Sequence, residues 1–311
     1  MWRPCWKFGN RRILGGCSAL ALELWCASGH TQACCTSAAA ITPGRLELHE
    51  TALVGVQARG SHVLGAFNST GEYSSAPAGT SDWEFQQDLF VTGGFGRAQA
   101  GVSLGMLESR RRAPSTGSEF GWGVGDLSWS ARYDFVRVHE RSYWPGIAGL
   151  LGLTLPTGRA PESARHPLGS DATGLGTTQG ALGLSVEQLF AQWLTSATFL
   201  VAARAPRRVR GVESRLAPEL TAIAALGYAF SSGRSLALLG TITWEGRAEV
   251  DGARVPGTEK RKLRLTLAAS EALSDTLRLQ ARVFLDPPWS GLGRNTSDWV
   301  GAQLGLIRSF W

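Results

Sequence analysis

The sequence predicts an all-β fold: a transmembrane antiparallel β-barrel of about twelve strands. Three observations carry this. Apolar residues recur with period two, and no helical period persists over a long window. Short and long connections alternate along the chain, as they do where short turns face the periplasm and long loops face outside. Aromatic residues gather at both ends of the strands.

The first segment is read separately. Residues 1–12 carry Arg3, Lys7, Arg11 and Arg12 and no acid, Ile13 to Ala27 is mostly apolar apart from Glu23, and small residues follow, including Ala38, Ala39 and Ala40. A charged head, an apolar middle and a small-residue site make a secretory signal. Residues 1–40 are therefore expected to be removed, and residues 41–311 to form a single barrel domain. The five cysteines are Cys5, Cys17, Cys26, Cys34 and Cys35, all within this leader. A disulfide-stapled body and a cysteine-ligated zinc site are excluded.

Twelve alternating segments follow in order: 52–67, 82–94, 97–108, 122–136, 142–155, 176–189, 192–204, 215–229, 234–246, 261–272, 276–287 and 298–311. In the fourth, Leu127, Trp129, Ala131, Tyr133 and Phe135 alternate with Asp126, Ser128, Ser130, Arg132 and Asp134. In the tenth, Leu263, Leu265, Leu267 and Ala269 make one face, and Lys262, Arg264, Thr266 and Ser270 the other. In the eleventh, Leu277, Leu279, Ala281, Val283 and Leu285 face away from Arg278, Gln280, Arg282 and Phe284. One apolar and one polar face per strand is what a wall between lipid and a polar interior requires. The connections 68–81, 109–121, 156–175, 205–214, 247–260 and 288–297 read as long. Those at 95–96, 137–141, 190–191, 230–233 and 273–275 read as short.

The aromatics test this topology independently. Trp83, Trp122, Trp244 and Trp299 fall at the long-loop ends. Tyr133, Phe135, Tyr143, Trp144, Phe190, Trp193, Tyr228, Phe230, Phe310 and Trp311 fall near the short-turn ends. Such rings suit a bilayer interface, with an apolar body and, in Trp and Tyr, a polar tip. The expected girdle is Trp83, Trp122, Trp144, Trp193, Trp244, Trp299, Phe310 and Trp311. The 39 glycines fit a curved, tilted wall. A charged fraction of 18 % fits a surface that gives one face to lipid.

Three short motifs carry a family resemblance. Gly125-Asp126 followed by a strand ending Arg132-Tyr133, then Leu155-Pro156-Thr157-Gly158, then Thr173-Gly174-Leu175-Gly176, resemble segments of bacterial outer-membrane transporters of the phenol-degradation meta-pathway type. The resemblance is good over 122–203 and elsewhere lies only in the pattern. It implies an outer-membrane channel of a Gram-negative bacterium, for small aromatic or hydrophobic solutes. The ending Phe310-Trp311 resembles the terminal signal by which the barrel-assembly machinery recognises its clients.

If the apolar faces meet lipid, the polar faces line a lumen. The lining expected is Glu84, Asp88, Asp126, Arg132, Asp134, Lys262, Arg264, Arg278 and Arg282. Two readings stay open: a basic wall of Lys262, Arg264, Arg278 and Arg282 facing an acidic one, or charges that pair and fill the barrel. The arm before residue 52 reads as too short for a large plug, so any constriction is expected from loop 156–175. Other basic clusters (Arg110-Arg111-Arg112, Arg207-Arg208 with Arg210, Lys260-Arg261-Lys262) sit in loops or at rims, where lipopolysaccharide phosphates would be within reach. Nucleic acid is not expected as a partner, since no binding motif accompanies them. No cofactor, metal or catalytic motif is expected. His49, His62, His139 and His166 are scattered, and only His62 and His166 can reach the outer rim, without an obvious partner. The reading is a solute channel, not an enzyme. Its alternatives are a non-conducting adhesion or structural barrel and, last, a barrel-embedded hydrolase.

Overall fold

The computed structural model describes residues 44–47, 49–138, 143–209 and 211–311. The expected leader, its cleavage site, His139 and Arg210 lie outside the described residues. Among those described, no helix is long and apolar enough to cross a membrane.

Twelve long strands form the wall. They are β1 (Ala52–Phe67), β2 (Ser81–Phe95), β3 (Ala98–Ala113), β4 (Gly117–Val136), β5 (Gly146–Leu155) and β6 (Gln179–Phe190), followed by β7 (Trp193–Arg204), β8 (Glu219–Ala229), β9 (Arg234–Glu245), β10 (Lys260–Ala272), β11 (Leu277–Leu285) and β12 (Thr296–Phe310). Each pairs antiparallel with its sequence neighbours, and β1 pairs with β12 from Ala52↔Phe310 to Phe67↔Thr296, which closes the barrel. Closure removes both sheet edges, so no strand presents unpaired backbone to lipid.

The alternation read from the sequence sorts into two faces. Leu89, Val91, Leu182, Phe199, Leu238 and Leu304 point outward and are each more than half exposed. Their in-between neighbours, such as Thr92, Ser185, Thr198 and Ser309, are buried inside. An apolar exterior on a closed barrel is the reverse of a soluble protein and fits a lipid solvent.

Ten of the twelve segments match the expected strands to within about four residues at each end; the main departure is the hairpin β3–β4. The stretch 109–121, read as a long loop because of its arginines, is strand on both sides of a turn at 114–116. Arg111 sits across from Glu119 and Arg110 across from Phe120, so cross-strand pairing outweighs local polarity. This hairpin projects beyond the wall and holds a loop, as described below. At the outer end, strands Arg207–Val209, Val212–Arg215, Glu249–Val250 and Ala253–Arg254 join two connections in a small separate sheet.

The interior is asymmetric. The inner faces of β7–β10 bury Leu194, Leu200, Ala202, Ile223, Ala225, Ala237 and Ala268 between hydroxyls such as Thr198, Ser235 and Ser270. The polar side chains that line open space gather on the β11–β12–β1–β2 side and on β3–β4.

Candidate functional site

A cavity of about 680 Å³ occupies this polar half. Gln57, Arg59, Gln86, Asp88, Arg282 and Gln303 line it from the wall, and Thr173, Gly174 and Leu175 line it from the loop 156–178. Asp88 accepts from Gln57 Nε2 at 2.8 Å and from Gln86 Nε2 at 2.7 Å.

Most of the other expected lining charges are paired. Arg132 is nearly fully buried; its Nε meets Asp134 Oδ1 at 2.7 Å and its Nη1 meets Glu187 Oε1 at 2.9 Å. Lys262 and Arg264 share one carboxylate, Asp286, at 2.9 and 2.7 Å. Arg264 also stands 4.2 Å over the Phe284 ring, which explains an aromatic on the polar face of β11. Arg278 binds Glu47 and Glu50. Glu84 pairs with Arg111 at 3.4 Å. The free basic wall opposite a free acidic wall is therefore not what the chain builds. The partners lay out of sequence reach: Glu187, Asp286 and Arg111 stand on other strands or loops. Replacing Arg132 by Met leaves Asp134 buried without its cation and should cost about 3–5 kcal/mol. A denaturant titration read by the gel mobility of folded and unfolded barrel checks this.

Residues 44–47 and 49–51 of the arm lie against the inner mouth, a short strap and not a large plug. Leu46 packs with Leu53, Phe90 and Ile307 in a buried cluster. Arg45 Nη1 reaches Glu187 Oε2 on β6 at 2.6 Å, and Glu47 Oε1 accepts from Arg278 Nη1 on β11 at 2.8 Å. Thr51 ties the arm's root to the wall: its N–H donates to the Phe310 carbonyl at 2.8 Å, and its carbonyl accepts from Gly94 at 2.8 Å.

The outer side is narrowed by loop 156–178, which folds inward as expected. All three motif segments meet at its base. Asp126 accepts from the Gly158 N–H at 2.9 Å and the Leu175 N–H at 2.6 Å. Thr157 Oγ1 donates to Gly125 O at 2.9 Å and accepts from Leu127 N at 2.9 Å. Thr173 Oγ1 donates to Val124 O at 2.7 Å and accepts from Arg159 N at 3.0 Å. Gly158 and Gly174 lie against each other; a Cβ on Gly174 would stand 2.3 Å from Asp126 Oδ1. Asp126 thus serves as the loop's anchor as well as part of the cavity lining.

Farther out, the projecting hairpin grips the same loop. Ser109 Oγ donates to Ser170 O at 2.6 Å, Arg111 Nη1 donates to Leu168 O and Gly169 O at 2.9 and 3.0 Å, and Glu119 accepts from Leu168 N at 2.9 Å. Inside the loop Asp171 is the hub. Burial alone would raise its carboxyl, but N–H groups of Arg165 and His166 and the Arg159 guanidinium outweigh this and lower it from 3.8 to about 2. A lowered carboxyl stabilises the fold above its unfolded value and loses that contribution as pH falls toward the folded one. The loop should therefore keep its shape down to about pH 4 and loosen between pH 4 and 2. Conductance recorded across this range should stay level and then change.

His166 does find a partner here: its Nδ1 lies 2.7 Å from Ser170 Oγ. Ser170 is buried, and Asp171 directs its carboxylate to backbone N–H groups rather than to the imidazole, so no nucleophile faces a substrate. His62 stacks on Trp83 with centroids 4.3 Å apart. Among the described residues no group of three or more His, Cys, Asp and Glu gathers to hold a metal.

The expected girdle residues Trp83, Trp122, Trp144, Trp193, Trp244, Phe310 and Trp311 are exposed, while Trp299 is half-buried. On the inner rim, Trp193, Tyr228 and Phe230 contact edge to face at 4.8 Å, and Arg308 lies over Phe310 at 5.6 Å. That last contact accounts for the arginine that interrupts the final apolar alternation. Within the basic clusters some arginines are engaged: Arg111 as above, and Arg207 with Glu162 at 3.0 Å. Arg110, Arg112 and Arg208 are exposed.

A closed antiparallel barrel with an apolar exterior, a polar cavity and inward-folded segments defines the class: an outer-membrane β-barrel fold. No family profile and no curated protein matches the chain. Solved structures do. An outer membrane channel from Pseudomonas putida F1 aligns with a TM-score of 0.70 at 17 % identity, covering 87 % of this chain and all (100 %) of that one. The transport unit of the autotransporter AIDA-I from Escherichia coli aligns at 0.47, with 9 % identity over 86 % of this chain and 94 % of that one. A KdgM porin in complex with disordered oligogalacturonate aligns at 0.45, with 8 % identity over 83 % and 99 %.

Proposed function

We propose that this protein is a diffusion channel of the Gram-negative outer membrane for small solutes, aromatic ones among them, and not an enzyme. The observation that carries this reading is the cavity of about 680 Å³ inside a closed barrel. Its lining joins Gln57, Arg59 and Arg282 to Leu107 and Leu175, so one side offers hydrogen bonds and another offers apolar surface to a ring. The expected lumen set, Glu84, Asp88, Asp126, Arg132, Asp134, Lys262, Arg264, Arg278 and Arg282, acts in two ways on this reading. Asp88 and Arg282 face the solute path, and the rest brace the wall, the loop or the arm. The exposed aromatics form the interfacial belt in lipid. Exposed Arg110, Arg112 and Arg208 are placed to meet lipopolysaccharide phosphates. The Phe310-Trp311 ending serves recognition by the assembly machinery.

Liposome swelling tests the channel reading against a sealed adhesion barrel. Proteoliposomes should swell in arabinose and more slowly in larger sugars. A folded barrel that gives no swelling with any solute contradicts it.

A further inference from the structure

Barrel closure aligns side chains that lie far apart in sequence. In register, Gln86 pairs with Arg59, Arg59 with Gln303, and Gln303 with Arg282, so four consecutive strands place these residues in one row around the polar half. All four line the cavity. Among the described residues, Arg59 and Arg282 make no ion pair, although Arg45, Arg111, Arg132, Arg204, Lys262, Arg264 and Arg278 all do. Arg59 donates to Gln86 Oε1, and Arg282 reaches Gln280 Oε1 only at 3.5 Å. A guanidinium carries five N–H donors, so most of those in the row are left for a guest. Asp88, the carboxylate nearest the row, already accepts from Gln57 and Gln86. Ala268 pairs with Arg282, so Arg264 stands four residues farther out on β10, roughly 13 Å. There Lys262 and Arg264 both pair with Asp286, with the buried Asp298 beside them, so the cations of that group are matched.

We propose that the row Gln86–Arg59–Gln303–Arg282 is a binding constriction for a small organic carboxylate, which makes the channel selective for anions. This rests on the channel reading above and names its solute class. A planar carboxylate can take paired N–H donors from one guanidinium while its body lies against Leu107 and Leu175. The Gln303 amide, between the two arginines and donating to Gln57 Oε1 at 2.6 Å, keeps them from closing on each other's acceptors.

The test uses the full-length channel in planar bilayers under a potassium chloride gradient, with benzoate and benzamide swelling rates beside it. Wild-type protein should prefer chloride over potassium several-fold and admit benzoate faster than neutral benzamide. In R59Q/R282Q both preferences should fall toward unity, while R59K/R282K, which keeps the charge, should retain the chloride preference and lose part of the benzoate advantage. A conducting wild type that prefers potassium, or a double glutamine variant with unchanged ratios, overturns the carboxylate site and leaves the channel standing. Absence of conductance from protein that shows the folded gel mobility overturns the channel reading itself. Gel mobility of each variant, with and without boiling, establishes that it has folded.

Discussion

Deleting residues 44–50 should raise single-channel conductance several-fold. The arm lies across the inner mouth, bound at β6 through Arg45–Glu187 and at β11 through Glu47 and Glu50 to Arg278. Its removal takes away Leu46 from the cluster with Leu53, Phe90 and Ile307, but Thr51 and its bonds to Phe310 and Gly94 remain, so the wall stays closed. The charges uncovered, Glu187 and Arg278, then face water instead of protein, and hydration replaces the lost pairing. A milder variant reports on the latch alone. E47Q/E50Q keeps the arm and its volume but weakens its hold on Arg278, so the open state should become more frequent without any change in its size. Recordings that show the same conductance and the same gating in both variants would remove the arm from the solute path.

The second large effect concerns the loop. Asp126→Ala should release loop 156–178 from β4. One carboxylate accepts two backbone N–H groups, Gly158 and Leu175, at the two ends of the loop. Hydrogen bonds to a charged acceptor are worth roughly 1.5–3 kcal/mol each, more than the neutral hydroxyl bonds by which Thr173 joins Arg159 and Val124 beside them. With the anchor gone, the loop should populate open positions, giving larger and noisier current. Excision of 160–172 should give the larger steady conductance of a mouth with no loop. Unchanged current after excision would show that the loop narrows nothing. Asp126→Asn, which keeps one acceptor oxygen, should lie between wild type and the alanine variant.

The wall was legible in the sequence because its physics is local. Lipid on one side and polar groups on the other force period two, and Leu127 through Phe135 or Leu277 through Leu285 display it directly. The closures were legible only in part. The motif residues Asp126, Thr157, Gly158, Thr173 and Gly174 could be picked out by resemblance, but their convergence is a tertiary fact. Arg59 carries no local mark at all; it becomes a neighbour of Arg282 only when β1 meets β12. The arm's role is hidden for a related reason. Its length excludes a large plug, but a short strap with an arginine at one end and glutamates at the other pairs with both walls only in the closed barrel. Arg110 to Arg112 misled in the opposite sense, since their polarity suggested a loop where cross-strand partners make a hairpin.

The central claim is that the barrel encloses a path for solutes, narrowed at both ends. Its most direct test is the current through purified, folded, unmodified protein in a planar lipid bilayer. The account predicts discrete conductance steps, small for a twelve-stranded barrel because arm and loop are both in place. A bilayer that stays silent, with protein whose unboiled gel mobility shows it folded, would contradict it.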